Sequence, residues 1–512
     1  MNRAGIRARL AAIPRLLRLP ELARALRLAE VARVLRLPTI GRFLRLECVI
    51  VAILTGISIW VHSKFRLHGF GEQDAARLAK DAIVWHLKNE ITSLESTYRV
   101  HTSPAYIHVL KKLMDFGMPI ARVPKLMNWG SVVFGSLCSA ALYGLFRQFS
   151  AARYAALAVF LYQMMPGFWL GNEYGMPTIP ALCWFTLSLL LFVRATRLPT
   201  LRSYRLAALI AGSFVFAVLA FSFKADLALC TGAFVVAALV ERGRRFIMLG
   251  LASFVVLGGV FVTTRYSHHV LTAAPEAPPT TGAFLKDWSA QFPFKTAALL
   301  DTANNQTIVH CAGGLLFIVL VLAVLSALVT GGRAARLAIA ALVFGAPPIL
   351  FWGLLFGNGA RHSVFGMAPF CLVAAHFIFR AVNERTLSAL LLALMLTGMS
   401  YYSDPRGRGV VAPGSSLLDA TEHLEAVTQG YHRSGRAIAA TPGMKRVVVG
   451  GDVVAPYLDF EIFAAAKHPV MPNIWEMDDG PQMTVFAHTA SRRKGVETQR
   501  NYRREGFVVL AQ

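Results

Sequence analysis

The stretch FLRLECVIVAILTGISIWVH, residues 43–62, is apolar over the length that an α-helix needs to cross a lipid bilayer. A polar loop follows it and carries two acids in the sequence Gly69-Phe70-Gly71-Glu72-Gln73-Asp74. Ionised carboxylates are costly inside hydrocarbon, so acids retained at the end of a membrane helix commonly have a function. Asp74 is therefore either a catalytic base at the membrane surface or a solvated loop acid.

The composition is that of an integral membrane protein, because 55% of the 512 residues are hydrophobic and only 16% are charged. Soluble domains carry about 25% charged residues. Apolar runs long enough for spans occur at residues 43–62, 126–146, 154–170, 177–193, 206–223, 226–240, 246–264, 308–330, 337–356, 363–379 and 386–402. We therefore predict an α-helical polytopic membrane protein with about 11 transmembrane helices.

The distribution of arginine predicts the orientation of these spans, because cytoplasmic loops are enriched in Arg and Lys. With the N-terminus inside, the inner connections are residues 147–153, 194–205, 241–245, 331–336 and 380–385, and each contains at least two arginines. The outer turns 171–176 and 357–362 contain one basic residue between them, Arg361. We predict a multi-pass protein of the inner (plasma) membrane with a cytoplasmic N-terminus and an extracytoplasmic C-terminus.

Residues 1–42 form an arginine-rich cytoplasmic segment. The motif Arg-x-Leu-Arg-Leu recurs at a nine-residue period, at Arg15–Leu19, Arg24–Leu28, Arg33–Leu37 and Arg42–Leu46. Much of the net charge of +24 lies here and in the inner connections, so we expect membrane lipids as the counter-charge and no nucleic acid partner. The segment is either a cationic stretch lying on the inner leaflet or poorly ordered low-complexity sequence.

Residues 43–402 form the predicted transmembrane domain, which contains two long outer loops. In the first, residues 63–125, apolar residues recur at helical spacing over Asp74–Leu94 and Ala105–Phe116, which predicts two surface helices. The second, residues 265–307, is either a mobile lid or an ordered cover. Residues 403–512 have the charge balance of a soluble region, and we predict a small extracytoplasmic α/β domain there. Its expected helices are Leu417–Ala440 and Val454–Lys467, and its expected strands are Arg446–Val449 and Phe507–Leu510.

Polar side chains with catalytic potential recur at the outer ends of the predicted spans. They are Glu72 and Asp74, Glu173 and Tyr174, Lys224 and Asp226, and Arg361 and His362. A site that combines a base with several cations for a phosphate needs these residue types at one depth. Each group also has an ordinary explanation, since acids in outer loops are commonly solvated and lysines extend toward lipid headgroups.

The order of these motifs resembles that of a known family. An acid early in the first outer loop is followed by Ser103-Pro104-Ala105-Tyr106-Ile107, Met165-Pro166, Lys224 and Arg361-His362. In this order the chain resembles the GT-C glycosyltransferases, in the branch of the protein O-mannosyltransferases and the lipid A aminoarabinose transferase. The likeness covers roughly residues 43–400, and the order and topology of the motifs carry more information than any single motif.

The resemblance implies an inverting transfer of a sugar from a polyprenyl-phosphate donor to an acceptor hydroxyl outside the cytoplasm, in the cell envelope. It implies that Asp74 activates the acceptor and that Lys224 and Arg361 hold the lipid phosphate. The chain departs from the family pattern because Glu72-Gln73-Asp74 replaces an adjacent Asp-Glu pair, which leaves the choice between Glu72 and Asp74 open. The acceptor is a glycolipid, a polysaccharide or a protein.

No Gly-rich loop follows a strand in the membrane part, in agreement with a lipid-borne donor rather than a nucleotide. We expect no cofactor, although the acid-x-acid spacing of Glu72 and Asp74 leaves a divalent cation as the alternative. A transporter or flippase of lipid-linked sugars is a competing function, which predicts inverted repeats and charged groups in mid-membrane. A non-catalytic membrane scaffold is the third possible function.

Overall fold

The computed structural model describes residues 39–64, 69–70, 73–88, 103–165, 168, 175–198, 204–239, 244–271, 312, 314–351 and 364–382, and scattered positions in 386–393 and 429–440. Two compact units are distinguished, Met1–Ile53 and Leu54–Gln512, and their boundary falls within the first long helix. The second unit contains all the contacts described below.

The described part is helical throughout its regular elements. Its α-helices are α1 (Thr39–Lys64), α2 (Gln73–Lys88), α3 (Pro104–Asp115), α4 (Val123–Phe146), α5 (Ala152–Gln163), α6 (Thr178–Thr196), α7 (Tyr204–Phe223), α8 (Gly232–Leu239), α9 (Arg245–Leu271), α10 (Gly314–Thr330), α11 (Gly332–Leu350) and α12 (Val364–Ala381). Short 3₁₀ helices at Ile120–Arg122 and Ala225–Cys230 precede α4 and α8.

Six helices of the described part are long and apolar enough to cross a membrane. They are Ile120–Phe146, Thr178–Thr196, Tyr204–Phe223, Arg245–Arg265, Gly332–Leu350 and Val364–Ala381, and shorter apolar helices lie at Leu46–Trp60, Leu227–Leu239 and Leu315–Thr330. The predicted span 226–240 is divided between the 3₁₀ helix and α8. The prediction of a membrane protein is therefore supported, while the count of 11 stays a prediction.

Helices α9 and α10 present large apolar side chains outward, as a lipid-facing surface requires. Phe246, Leu257 and Phe261 of α9 are 76%, 67% and 62% exposed, and Val329 of α10 is 89% exposed. In water, a continuous apolar surface of this kind promotes association, whereas in hydrocarbon it matches the surrounding lipid.

The two surface helices of the first outer loop form close to their predicted positions. Helix α2 begins one residue before the predicted start at Asp74, and α3 begins at Pro104, where proline is favoured because its missing N–H needs no partner. Ala75, Ala76 and Ala79 of α2 are fully buried. These small side chains let α2 lie close against α3, with which it makes extensive contact.

A reciprocal pair of hydrogen bonds joins α6 to α7. The hydroxyl of Ser188 donates to the carbonyl of Ser213 at 2.6 Å, and the hydroxyl of Ser213 donates to the carbonyl of Ser188 at 2.9 Å. Both side chains are fully buried. Serine is suited to this position because it lets the helices approach closely and also satisfies its own polar group across the interface.

Helices α11 and α12 cross where two glycines face each other. A Cβ atom added at Gly345 would collide with the carbonyl oxygen of Gly366 and with Phe370, and one added at Gly366 would lie 2.5 Å from the carbonyl oxygen of Gly345. Close backbone approach between small residues is a common way to pack membrane helices. This crossing fixes the beginning of α12.

Arginines hold the turn between α4 and α5 at the end of the bundle opposite α2 and α3. The guanidinium of Arg197 donates to the carbonyl of Gln148. That of Arg333 donates to the carbonyl of Phe149, and that of Arg147 to the carbonyl of Ser150. These donors come from the predicted inner connections 147–153, 194–205 and 331–336, which therefore meet at one end of the bundle. That grouping agrees with the predicted alternation of the spans.

The predicted α/β domain at 403–512 is described only in part. Residues 429, 430, 432, 433 and 435–437 are helical, within the stretch 417–440 that we expected to be helical. The expected strands and the second expected helix lie outside the described residues, as do residues 1–38 and almost the whole second outer loop.

Candidate functional site

The backbone that leads into the acidic loop is fixed by a buried amide. Asn128 of α4 donates from Nδ2 to the carbonyl oxygen of Gly69 at 2.8 Å. Asn128 is 1% exposed, and Phe70, the next residue of the loop, is also 1% exposed. Asp74 follows four residues later as the second residue of α2. Helix α4 therefore holds the backbone of Gly69, five residues before Asp74.

The turn that follows Glu173 and Tyr174 lies against the same asparagine. Gly175 has a φ of +63°, and a Cβ atom added there would lie 2.9 Å from Oδ1 of Asn128. Glycine is required here because other residues adopt this backbone region only with strain and because Asn128 leaves no room. Gly175 and the loop at 69–70 thus meet at Asn128.

Tyr106 of α3 connects this turn to the segment that carries Lys224. Its phenol donates to the carbonyl oxygen of Gly175 at 2.7 Å. Its ring lies edge-on to that of Phe223, with 5.7 Å between the centroids. Burial raises the pKa of Tyr106, so the phenol keeps the proton that it donates. Phe223 directly precedes Lys224, whose backbone is extended and whose side chain is half-buried.

The start of α12 is held from the side of α5. The phenol of Tyr162 donates to the carbonyl oxygen of Val364 at 3.2 Å. The Tyr162 ring packs against Phe168, with 4.9 Å between the ring centroids. Val364 lies three residues after Arg361. The 3₁₀ helix Ala225–Cys230, which follows Lys224, contacts α12. The element that follows Lys224 in the sequence and the helix that follows Arg361 are therefore in contact with each other.

The far end of α2 is tied to α3 by an ionic cluster outside the spans. Asp115 accepts from Lys111 at 2.7 Å and contacts Nδ1 of His86 at 2.8 Å. The hydrogen bonds from Lys111 and His86 lower the pKa of Asp115 to about 2. Burial, and then the nearby lysines, lower the pKa of His108 on the same helix. The C-terminal end of α2 is thus tied to α3.

The structure describes the predicted site residues unevenly. Lys224 is described with its side chain, and for Asp74 and Asp226 the helical backbone position is described. Glu72, Glu173, Tyr174, Arg361 and His362 lie outside the described residues. The structure links Gly69, Gly175 and Phe223, which lie near three of the four predicted groups in the sequence. The joint action of these groups stays a prediction.

Several residues at this end of the molecule were not singled out from the sequence as functional. They are His62, Asn128, Tyr162 and His432, which are buried, and Tyr106, which the sequence analysis named only as part of the motif 103–107. Asn128 had a detectable signal, because an amide inside an otherwise apolar span requires a partner. His432 had none, because its partner lies 362 residues away.

The described residues contain no group of three or more His, Cys, Asp or Glu side chains that could hold a metal ion. Glu72, one of the two acids on which a divalent cation depends, lies outside these residues. The expectation that the protein needs no cofactor therefore stays a prediction.

Tyr106→Phe is expected to destabilise the protein by about 1–3 kcal/mol, because it leaves the buried carbonyl of Gly175 without its phenol donor. The measurement is the free energy of unfolding in mixed detergent micelles. Tyr154→Phe, at the other end of the bundle, is the matched control, since its hydroxyl accepts a hydrogen bond from the exposed Arg153. Equal stability of Tyr106→Phe and the wild type would contradict the role given to this hydrogen bond.

Comparisons with known proteins give the fold. No protein-family model matches the sequence, and no curated protein matches it. Solved structures do match: ArnT from Cupriavidus metallidurans bound to undecaprenyl phosphate is 14% identical with a TM-score of 0.52, over 92% of this chain and 90% of that chain.

The oligosaccharyltransferase of Archaeoglobus fulgidus tethered with an acceptor peptide is 13% identical with a TM-score of 0.52. That match covers 81% of this chain and 63% of the other, so this chain spans less than two thirds of the archaeal protein's length. Both proteins are GT-C glycosyltransferases. The expectation from the order of the motifs is confirmed at the level of architecture: the chain has the fold of the GT-C membrane glycosyltransferases.

Proposed function

We propose that this protein is an inverting glycosyltransferase that moves a sugar from a polyprenyl-phosphate donor to an acceptor hydroxyl on the outer side of the membrane. One observation carries the proposal. Asn128 and Tyr106 link Gly69, Gly175 and Phe223, which lie close in the sequence to Asp74, Glu173-Tyr174 and Lys224 respectively. The solved ArnT structure with undecaprenyl phosphate supports the choice of a prenyl phosphate as the sugar carrier.

The proposed reaction is a single displacement. The acceptor oxygen attacks the anomeric carbon while the bond from that carbon to the phosphate oxygen breaks. The acceptor proton passes to the carboxylate of Asp74, and the polyprenyl phosphate leaves with the bonding electrons. Attack from the side opposite the leaving group inverts the anomeric centre. A base that accepts this proton contributes about 10²–10⁴-fold to the rate.

The cations act on the leaving group in this proposal. Negative charge grows on the departing phosphate, and Lys224 and Arg361 stabilise it from fixed positions. His362 would donate a further hydrogen bond to the phosphate. Asp226, Glu173 and Tyr174 would contact the sugar hydroxyls, because carboxylates and phenols are suitable partners for them.

Mass spectrometry of the envelope glycans, with and without the gene, tests the function. We expect one sugar residue to be absent from a glycolipid, polysaccharide or glycoprotein of the deletion strain, and to return on complementation. Accumulation of the sugar-charged lipid in an unprocessed, inward-facing pool would instead favour a flippase. Glycans identical in both strains would contradict both activities and favour the scaffold.

Lys224→Ala and Arg361→Ala are each expected to raise the apparent KM for the lipid donor about tenfold or more, because each removes a charge-assisted bond to phosphate. The apparent KM for the acceptor should change little. The assay uses the purified protein in proteoliposomes, with the prenyl-phosphate sugar identified by the glycan comparison.

Lys125→Ala is the matched control for these variants, since Lys125 is an exposed cation at the beginning of α4, near the same end of the bundle. It should leave both KM values unchanged. Equal losses for donor and acceptor in Lys224→Ala would argue against contact with the phosphate.

A further inference from the structure

A buried histidine from the C-terminal region packs against the backbone that leads to the acidic loop. His432 is only 3% exposed, although it lies in residues 403–512, outside the part of the chain whose motifs resemble the GT-C family. Histidine is seldom fully buried unless its ring nitrogens have partners. Its location therefore requires an explanation in terms of what it contacts.

His432 contacts two consecutive residues of the first outer loop, Gly69 and Phe70. The backbone N–H of Phe70 donates to Nε2 of His432 at 3.3 Å, and the two rings lie 5.8 Å apart. A Cβ atom added at Gly69 would lie 2.5 Å from Nε2, so the imidazole fills the space that a side chain would occupy. Because Nε2 accepts, it carries no proton, and the ring's proton is on Nδ1.

Residues 69 and 70 are thus held from two directions by different parts of the chain. Asn128 of α4 donates to the carbonyl of Gly69. His432 of the C-terminal region accepts a hydrogen bond from the N–H of Phe70. Together they provide hydrogen-bond partners for two neighbouring main-chain groups of buried residues. Helix α2, with Asp74 in its first turn, begins three residues after Phe70.

We propose that His432 is a positioning residue, through which the C-terminal region fixes the backbone before Asp74 and so the placement of the proposed base. This inference rests on the proposed function for its catalytic consequence. Misplacing a reacting group by about 1 Å costs about 100-fold in rate, so a contact that fixes the entry to α2 is sufficient to matter. The C-terminal region then completes the site without contacting substrate.

Two variants of His432 separate the hydrogen bond from the volume of the ring. His432→Gln retains an acceptor that can reach the N–H of Phe70, whereas His432→Leu retains apolar volume without an acceptor. Arg433→Ala is the matched control, because Arg433 is the exposed neighbour in the same helical segment. All variants are made in the full-length protein.

Hydrogen exchange of the Phe70 amide measures directly whether His432 protects this N–H. We expect exchange at least about tenfold faster in His432→Leu, and exchange close to the wild-type rate in His432→Gln and Arg433→Ala. Turnover in His432→Leu should fall about 10- to 100-fold, while binding of undecaprenyl phosphate is unchanged. His432→Gln should recover most of the turnover.

Gly69 supplies a second, independent test. Gly69→Ala in the wild type should displace the imidazole and accelerate exchange at Phe70, because the new methyl group would meet Nε2. In a His432→Ala background, the same change should have little further effect, since the clashing ring is absent. Additive effects of the two substitutions would overturn the contact.

The remaining outcomes are equally decisive. Unchanged exchange at Phe70 in His432→Leu overturns the docking. Parallel loss of turnover and of undecaprenyl phosphate binding overturns a positioning role, because general unfolding affects both. If the deletion strain has unaltered glycans, the proposed transfer fails, and the exchange experiment still decides whether His432 holds residues 69 and 70.

Discussion

Asp74→Asn is expected to lower sugar transfer by about 10²–10⁴-fold, because asparagine cannot accept the proton of the acceptor hydroxyl. The substitution preserves the size of the side chain in the first turn of α2, so membrane insertion and folding should be retained. The measurement is single-turnover transfer in proteoliposomes. The amount of folded protein is determined separately by gel filtration in detergent.

Asp81→Asn is the matched control for this prediction. It removes the same charge from the same helix, seven residues further along. Transfer should be retained in Asp81→Asn and lost in Asp74→Asn. If Asp74→Asn remains active, the base lies elsewhere, and Glu72→Gln then tests the other acid of the loop.

Gly345→Ala is expected to destabilise the protein by about 1–3 kcal/mol, the usual cost of forcing an extra methyl group into a well-packed interface. The new Cβ would meet the carbonyl oxygen of Gly366, and main chain on two crossing helices cannot move aside as the end of a flexible side chain can. The gain of about 1 kcal/mol in helix propensity from glycine to alanine is offset by this collision. The measurement is the free energy of unfolding in mixed micelles.

Gly250→Ala provides the comparison, because a Cβ atom added at Gly250 in α9 meets nothing within 4 Å. This variant gains helix propensity without a collision and should be as stable as the wild type or more stable by up to about 1 kcal/mol. Similar behaviour of Gly345→Ala and Gly250→Ala would contradict the tight crossing of α11 and α12.

The spans and surface helices were predictable because they depend on local sequence. Apolar runs of spanning length predicted α4, α6 and α7 within a few residues, and the apolar spacing with Pro104 predicted α3. The division of 226–240 into a 3₁₀ helix and α8 was not visible in hydropathy, because the stretch that follows Asp226 is apolar on both sides of the break. At the break, a Cβ atom added at Gly232 would lie 2.7 Å from the carbonyl oxygen of Val343 in α11, a contact that is distant in sequence.

The candidate site was predictable only as a set of residue types at one depth. Which groups lie near one another depends on Asn128, Tyr106 and His432, whose partners are distant in sequence. No periodicity or spacing encodes such contacts. The resemblance to the GT-C family supplied the assignment of roles to Asp74, Lys224 and Arg361, and this assignment stays a prediction.

The serine pair between α6 and α7 has a consequence for biogenesis. Both helices leave the ribosome one after the other, since they occupy Thr178–Thr196 and Tyr204–Phe223. Their hydroxyls satisfy each other, so this hairpin can be released into lipid with no exposed polar group from either serine. Helix α5, by contrast, packs against α12 and must wait until some 200 further residues have been translated.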